Sequence, residues 1–436
     1  VRLPVRRLAV TAVIVLSAAC LAKASTADGA AHVKFGIKDD AWLIYGPGTL
    51  DSRVAELDRL GVDVVRFTLR WDAVATRRPA RGADPNDPAY QWGPGDAVLK
   101  TLRQHGIAIL LTLVGTPRWA NGGQPPNRVP RVSSTFAAFA SAAAKRYPYV
   151  RYWTIWNEPN QRLWLDPPVP RTYVVKLLNP AYAAIKRANP RALVAGGVTA
   201  PRGNTGGVSP LAWVKGMGKA GAKLDAYAHN PYPLLPQVET PSSGGCDHCE
   251  TVTMATLERL IKAVKRWLGP KRIWLTEYGY QTNPPDRWLG VSWALQARYV
   301  AEAGLRVWRL PYVDMLINFL VRDDVSDSNG IQRGWQSGLY TVSGRAKPSS
   351  TAFMLPLAQM SRTGTQTTLW GQVRPRRGRQ PYRLQQLRGG SWRWMGASRT
   401  TNADGTFVVT VQAPRGSLLR VWSPRDRMYG LVLIVR

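Results

Sequence analysis

From about residue 33 to residue 360 the chain alternates short apolar runs with stretches of helical spacing, and this rhythm limits the folds open to it. The apolar runs are 33–38, 62–69, 107–114, 150–156, 192–197, 224–229, 272–277 and 313–320. Most lack the in-out alternation of a half-exposed strand, so they predict parallel strands buried on both faces. Between them, Leu50, Val54, Leu57 and Leu60 share a helical face that Gly61 terminates. Phe136, Phe139, Ala140, Ala143 and Tyr147 keep the same spacing, as do Met254, Leu257, Leu260, Ile261, Val264, Trp267 and Leu268. Further helices are predicted over 291–308 and 349–360. Eight strands each followed by a helix predict an α/β fold of the (β/α)8 TIM-barrel type. The competing arrangement is a doubly wound open sheet. The glycine-rich, phosphate-cradling turn such sheets often carry after the first strand is absent.

The two ends of the chain read differently. In residues 1–24, Arg2, Arg6 and Arg7 precede an apolar run from Leu8 to Ala19, and Ala22-Lys23-Ala24 forms an A-x-A cleavage site. This predicts a signal peptide removed near Ser25, with export to the cell envelope or beyond; the run is too short for a membrane anchor. Cys20 as a lipid-anchor cysteine is the lesser alternative, because Ser17 stands where a lipobox usually has Leu. Residues 25–360 then form the barrel. Residues 361–436 switch to Thr, Gly, Arg and alternating apolar positions, as in 406–411 and 418–422, and predict a small C-terminal antiparallel β-sandwich-like domain.

Of the three cysteines, Cys20 leaves with the leader, and Cys246 and Cys249 remain. A close pair in an exported chain is most simply a disulfide pinning a loop. A metal site would need four ligands and only Asp247 and His248 stand nearby; a redox pair would need a thioredoxin-like surround, which is missing. No metal or organic cofactor is expected.

With 59 Lys and Arg against 27 Asp and Glu, the formal charge is +32. Residues 361–436 hold fourteen Arg, no Lys, and only Asp404 and Asp426 as acids. Such a surface attracts anionic partners, which for an exported protein include acidic envelope polymers. An Arg-rich genomic composition explains the same excess equally well. The aromatic–basic interleaving typical of nucleic-acid binding is not evident, so nucleic acid is not an expected partner. A hydrophobic fraction of 45% excludes a disordered chain.

Two predicted strands end in a glutamate, the fourth at Trp156-Asn157-Glu158-Pro159 and the seventh at Thr276-Glu277-Tyr278-Gly279. A carboxylate closing an apolar, aromatic-rich strand is costly to bury, and strand C-termini form the reactive face of a barrel. Two of them make the pair that glycoside hydrolysis requires. These two motifs resemble the signature of the clan A retaining glycoside hydrolases, over roughly residues 33–360. Within the clan the chain is most similar to glycoside hydrolase family 39 and to cellulase-like family 5 proteins of bacteria. Gly338-Leu-Tyr-Thr-Val-Ser-Gly-Arg-Ala-Lys-Pro348 matches a segment common in them.

The resemblance implies roles. Glu158 is the expected general acid/base and Glu277 the nucleophile, with their carboxylates about 5–5.5 Å apart. Asn157 is expected to bind the sugar 2-hydroxyl, Arg66 to lie beside Glu277, and His229 and Tyr232 to orient the two acids. The expected substrate is a β-linked oligo- or polysaccharide. Trp71, Trp119, Trp164, Trp288 and Trp335 follow strand ends and are candidate platforms for sugar rings. Asp39, Asp40, Asp323 and Asp324 end strands one and eight, and are read either as sugar ligands or as surface pairs. Clan A enzymes often close strand eight with a Trp; here it ends Asn318-Phe319-Leu320. Two readings compete with a hydrolase: a transglycosylase, and a non-catalytic glycan-binding envelope protein.

Overall fold

The computed structural model describes residues 33–203, 206–246, 248–325 and 334–436. The expected leader, with Cys20, lies outside the described residues, and so does Asp247.

Eight parallel strands close into a barrel: β1 Lys34–Lys38, β2 Val64–Arg70, β3 Ala108–Val114, β4 Tyr152–Ile155, β5 Leu193–Thr199, β6 Ala226–His229, β7 Arg272–Tyr278 and β8 Val313–Phe319. β1 pairs with β8 from Lys34↔Met315 to Lys38↔Phe319, which completes the ring. One principal helix follows each strand: α1 Leu50–Leu60, α2 Pro94–Gln104, α3 Ser133–Arg146, α4 Asn179–Ala188, α5 Pro210–Lys219, α6 Leu257–Leu268, α7 Trp293–Trp308 and α8 Pro348–Met354. The strands are apolar along their length because both faces are covered. Inside the ring Val64, Leu110, Ala195, Ala228, Trp274, Met315 and Ile317 pack together, with Tyr152 set edge-to-face on Trp274. Outside it, alternate strand residues meet the helices in one continuous core. No described helix is long and apolar enough to cross a membrane.

α1 shows how local sequence sets an element. The Thr49 side chain accepts from the Ser52 amide and starts the helix; Val54, Leu57 and Leu60 are buried; Gly61 ends it in the left-handed region at φ 75°. A Cβ at Gly61 would meet the Arg374 carbonyl oxygen at 2.1 Å, so glycine also lets the C-terminal domain approach.

The last helix departs from expectation. It stops at Met354 rather than running to 360, because Pro356 forces Leu355 out of helical geometry, and the chain enters β9, Leu357–Thr363. β10 (Gln366–Gln372), β11 (Pro381–Arg388), β12 (Ser391–Trp394), β13 (Arg399–Thr400), β14 (Thr406–Gln412), β15 (Leu418–Ser423), β16 (Met428–Tyr429) and β17 (Leu433–Ile434) follow. They form a three-stranded sheet, β14-β10-β9, facing a larger one built on β12-β11-β15-β16. Tyr382, Leu384, Leu369, Phe407, Leu419 and Val421 fill the space between.

These sheets meet the barrel at the end where its strands begin. Trp370 packs on Leu305 and Trp308 of α7. Arg374 is buried with its guanidinium 3.6 Å from the Phe35 ring and 4.9 Å from that of Phe353, and it donates to the Phe353 carbonyl and to Gln372 Oε1. Arg377 donates to the carbonyl of Gly106, which precedes β3.

Candidate active site

The opposite end of the barrel holds a cleft of about 660 Å³. Glu158, Glu277, Asn157, Tyr232, Trp164, Phe319 and Trp335 line it, with Lys38, Asp40, Arg70, Arg202 and Gln281.

The chain reaches Glu158 through an unusual turn. β4 ends at Ile155, and Trp156 (φ 72°) and Glu158 (φ 38°) both occupy the left-handed region. Val198, a β-branched residue at φ 47°, accepts the Glu158 amide hydrogen bond at its carbonyl. Each such residue costs about 1–2 kcal/mol, so neighbours must hold the turn. Trp156 donates from its indole to the Trp164 carbonyl. Asn160 accepts the Ala200 amide and donates to the carbonyls of Ala200, Arg202 and Val208. Asn160 thereby ties the segment after β4 to Ala200, Arg202 and Val208 beyond β5.

Glu277 sits one residue from the end of β7. Arg66, fully buried in β2, donates to Glu277 Oε1 at 2.7 Å, Asn157 Oδ1 at 2.7 Å, Thr112 Oγ1 at 3.0 Å and the Thr276 carbonyl at 3.2 Å. The Tyr232 hydroxyl donates to Glu277 Oε2 at 3.3 Å. Glu277 is thus an ion-paired carboxylate with both oxygens engaged. Among the described residues no ion pair reaches Glu158, and Arg66 acts on it only as a minor influence behind burial and the charge of Glu277. Its Oε1 accepts from Asn230 Nδ2 at 2.9 Å, and Thr276 Oγ1 fixes that amide by donating to Asn230 Oδ1 at 2.7 Å. Burial, and then the charge on Glu277, push the Glu158 carboxyl up to about 7.

That asymmetry has a measurable consequence for folding. The folded chain binds the Glu158 proton more tightly than the unfolded chain does, whose value is near 4.5. The stability it confers is full below pH 4.5 and is lost as pH rises through about 7. Glu158→Gln cannot ionise and escapes the loss. Calorimetry at pH 4.5 and pH 8 is expected to show the variant melting close to wild type at the lower pH and above it at the higher. Parallel melting curves would contradict the assigned burial.

Other expected positions fall elsewhere. His229 is buried and turned away from both carboxyls: Nδ1 bonds Thr199 Oγ1 and Nε2 faces the Val252 carbonyl, while burial lowers its pKa to about 4. β6 runs in regular register with β7, so Ala226 and Ala228 face the barrel interior, His229 faces out, and Asn230, the next residue, reaches Glu158. Trp71 is not on the cleft rim. It opens a short helical turn that swings the ring into the core, against Phe136, Phe139 and Trp119. Trp119 stacks edge-on behind it and donates to the Ala75 carbonyl, so it does not line the cleft either. Trp335 does line it. Its ring lies 5.6 Å from Tyr232 and 5.7 Å, perpendicular, from Phe319. Phe319, the last residue of β8, and Trp335 thus form an aromatic wall of the cleft together.

Asp39 caps a helical turn and accepts the Trp42, Val321 and Arg322 amides; Asp40 pairs with Lys38. Asp323 forms a buried ion pair with Lys347, whose ammonium also donates to Thr282 Oγ1 and the Gln336 carbonyl. Asp324 accepts the Trp335 amide. The acids after β8 therefore hold the Trp335 loop. Cys246 and Cys249 are joined by a disulfide in the loop after β6, and Arg259 donates to both of their carbonyls. Among the described residues no three His, Cys, Asp or Glu side chains gather as a metal site would require.

A closed parallel barrel with two glutamates in one cleft at its strand C-termini defines a glycoside hydrolase of the clan A type. The chain belongs to glycosyl hydrolase family 5, the cellulase family, whose model matches residues 26–305. Its fold is shared with a family 39 glycoside hydrolase from Bacteroides cellulosilyticus WH2, with a TM-score of 0.58 at 18% identity over 88% of this chain and 80% of that one. A glucosidase from Croceicoccus marinus gives a TM-score of 0.58 at 14% identity over 90% and 96% of the two chains. A bifunctional glucanase-xylanase from a metagenome library gives 0.50 at 12% identity over 94% and 98%. No curated protein matched the sequence.

Proposed function

We propose that the protein is an exported retaining glycosidase that cleaves a β-linked glycan by double displacement. The unequal treatment of the two carboxyls carries this reading: Arg66 pairs with Glu277, whereas burial beside that anion keeps Glu158 protonated near neutrality. A nucleophile must be ionised and a general acid must not be. Glu158 gives its proton to the departing glycosidic oxygen while Glu277 attacks the anomeric carbon. The ester so formed removes the negative charge beside Glu158, whose carboxylate then takes a proton from water as that water displaces Glu277. Tyr232 steadies Glu277, Asn230 steadies Glu158, and Asn157, oriented by Arg66, offers its amide to the sugar. Trp335 supplies a platform for an apolar sugar face.

The barrel, residues 25–360, is the catalytic unit in this reading, and the sheets of 361–436 hold it on an anionic envelope polymer. Export rests on the charged-apolar-small order of residues 1–24.

A panel of aryl β-glycosides and of bacterial and plant polysaccharides tests the reaction. The first product observed by NMR is expected to keep the anomeric configuration of the substrate. Turnover is expected to fall as pH rises through about 7, where Glu158 loses its proton. Inverted product, or a rate that holds flat through that range, would overturn the mechanism. Acceptor-sugar products in place of free sugar would assign transglycosylation instead.

A further inference from the structure

The outer face of the larger C-terminal sheet carries rings and guanidinium groups side by side, and none of these residues belongs to the cleft. Strand register puts them on one side. Trp394 of β12 stands opposite Gln385 of β11, which stands opposite Arg420 of β15. Arg383 of β11 stands opposite Trp422 of β15, which stands opposite Tyr429 of β16. Directly opposed residues share a face, and so do residues two apart on one strand, which adds Trp392. The alternate residues Tyr382, Leu384, Leu419 and Val421 point the other way, into the core between the sheets. Three features set this outer face apart from an ordinary solvated surface.

The first is stacking. Arg420 lies 4.1 Å from the Trp392 ring and 3.9 Å from that of Tyr429, and the Tyr429 ring lies 4.2 Å from Trp422. Arg383 lies 3.8 Å from the Trp394 ring. The aromatic–basic interleaving not evident in the sequence is thus formed in space, largely across strands. The second is charge. The acids of residues 361–436 are Asp404 and Asp426. Asp404 accepts from Thr406, and Asp426 pairs with Arg376 and accepts from Ser423, so neither serves Arg383 or Arg420. The third is open donors. Buried Gln385 accepts from Arg420 Nε at 2.8 Å, a bond that uses one of the five N–H donors of the group. Arg383 Nε is buried without an acceptor. Stacked rings cover the flat of a guanidinium and leave its N–H edge to bind. Trp394 and Tyr429, on β12 and β16 at either side, stay 40% and 38% exposed.

We propose that this face binds an acidic polysaccharide, a chain of pyranose sugars bearing carboxylates. A guanidinium fork matches a planar carboxylate bidentately, and an aromatic ring matches the C–H face of a sugar. The alternation across the sheet therefore mirrors the alternation along such a chain. Polyphosphate satisfies the arginines and leaves the rings without a partner. The inference rests on the reading that these sheets hold an anionic envelope polymer, and it names the chemistry of that polymer. It is independent of catalysis, so its test reads binding.

The full-length protein is run in native affinity gels containing polygalacturonate, its fully methyl-esterified form, neutral dextran, polyphosphate or a single-stranded oligonucleotide. Retardation is expected in polygalacturonate, is lost in high salt, and is absent in the ester and in dextran. Arg383→Gln/Arg420→Gln and Trp394→Ala are each expected to weaken the polygalacturonate interaction about tenfold or more. Arg388→Gln/Arg393→Gln removes the same charge from the opposite face of the sheet and is expected to change the interaction by about twofold at most. Equal weakening by the two arginine pairs would show a diffuse charge effect and overturn the proposal, as would stronger retardation in polyphosphate or the oligonucleotide. If the variants of the stacked face melt early, the wild-type comparison of acid, ester and polyphosphate decides alone. Retardation in polyphosphate alone would leave the envelope reading standing and sink the acidic glycan, whereas no retardation in any charged gel would sink both. The Glu277→Gln chain is expected to be retarded like wild type, so failure of the hydrolase reading leaves this result untouched.

Discussion

Glu277→Gln is expected to lower kcat on an aryl β-glycoside by about four orders of magnitude or more. The substitution keeps the shape of the side chain, so the Tyr232 and Arg66 contacts have somewhere to go. What it removes is an electron pair able to bond to the anomeric carbon. No other described carboxylate in the cleft is held by a buried cation in the same way. Asp40 also lines it, but is tied to Lys38 beside β1. The expected profile is near-complete loss with the circular dichroism spectrum unchanged. Activity within tenfold of wild type would remove Glu277 from the reaction and the double displacement with it.

Arg66→Met is expected to carry the largest cost in stability, about 3–5 kcal/mol. Arg66 has no exposed surface and the Glu277 side chain only 10%. Removing the guanidinium leaves a carboxylate in the barrel mouth with a single neutral donor, Tyr232. It also leaves Asn157 Oδ1 without its donor and takes one donor from Thr112 Oγ1, which keeps its bond to Thr154. The pair is coupled, so the double variant with Glu277→Gln is expected to recover part of the loss, because no unpaired charge remains. Denaturant melts of the two single variants and the double variant form the cycle. Additive losses would show that Arg66 acts through packing alone and does not hold the anion in place.

The barrel was legible because its strands carry no solvent face. Each apolar run between helical stretches could only be a buried strand, and all eight lie where those runs do. The last helix was overextended although Pro356 was in view; the residue before a proline leaves helical geometry, and that rule outweighed the apolar spacing beyond it. The glutamates could be placed at the mouth because they close apolar strands. The orientation of their neighbours could not be read the same way. Alternation along β6 sends Ala226, Ala228 and then Asn230 inward and His229 outward, and an error of one position reverses which side chain is read as facing the cleft. The tryptophans show a related limit. Trp71 and Trp335 both follow a strand end. Only the helical turn begun at Trp71, and the ion pair of Asp323 with Lys347 behind Trp335, send one ring inward and hold the other in the opening.

The seating of Trp370 and Arg374 at the beginning of the strands gives the molecule a direction. Whatever the arginine-bearing sheets grip lies on the blind side of the ring, and the cleft looks the other way. A strand of matrix caught at the rear would have to double back around the outer helices to enter the mouth of the molecule that caught it. On the proposed reading that these sheets hold an envelope polymer, the enzyme works on the next strand over, and its rate on a meshwork is then set by the spacing between strands and not by the length of any one of them.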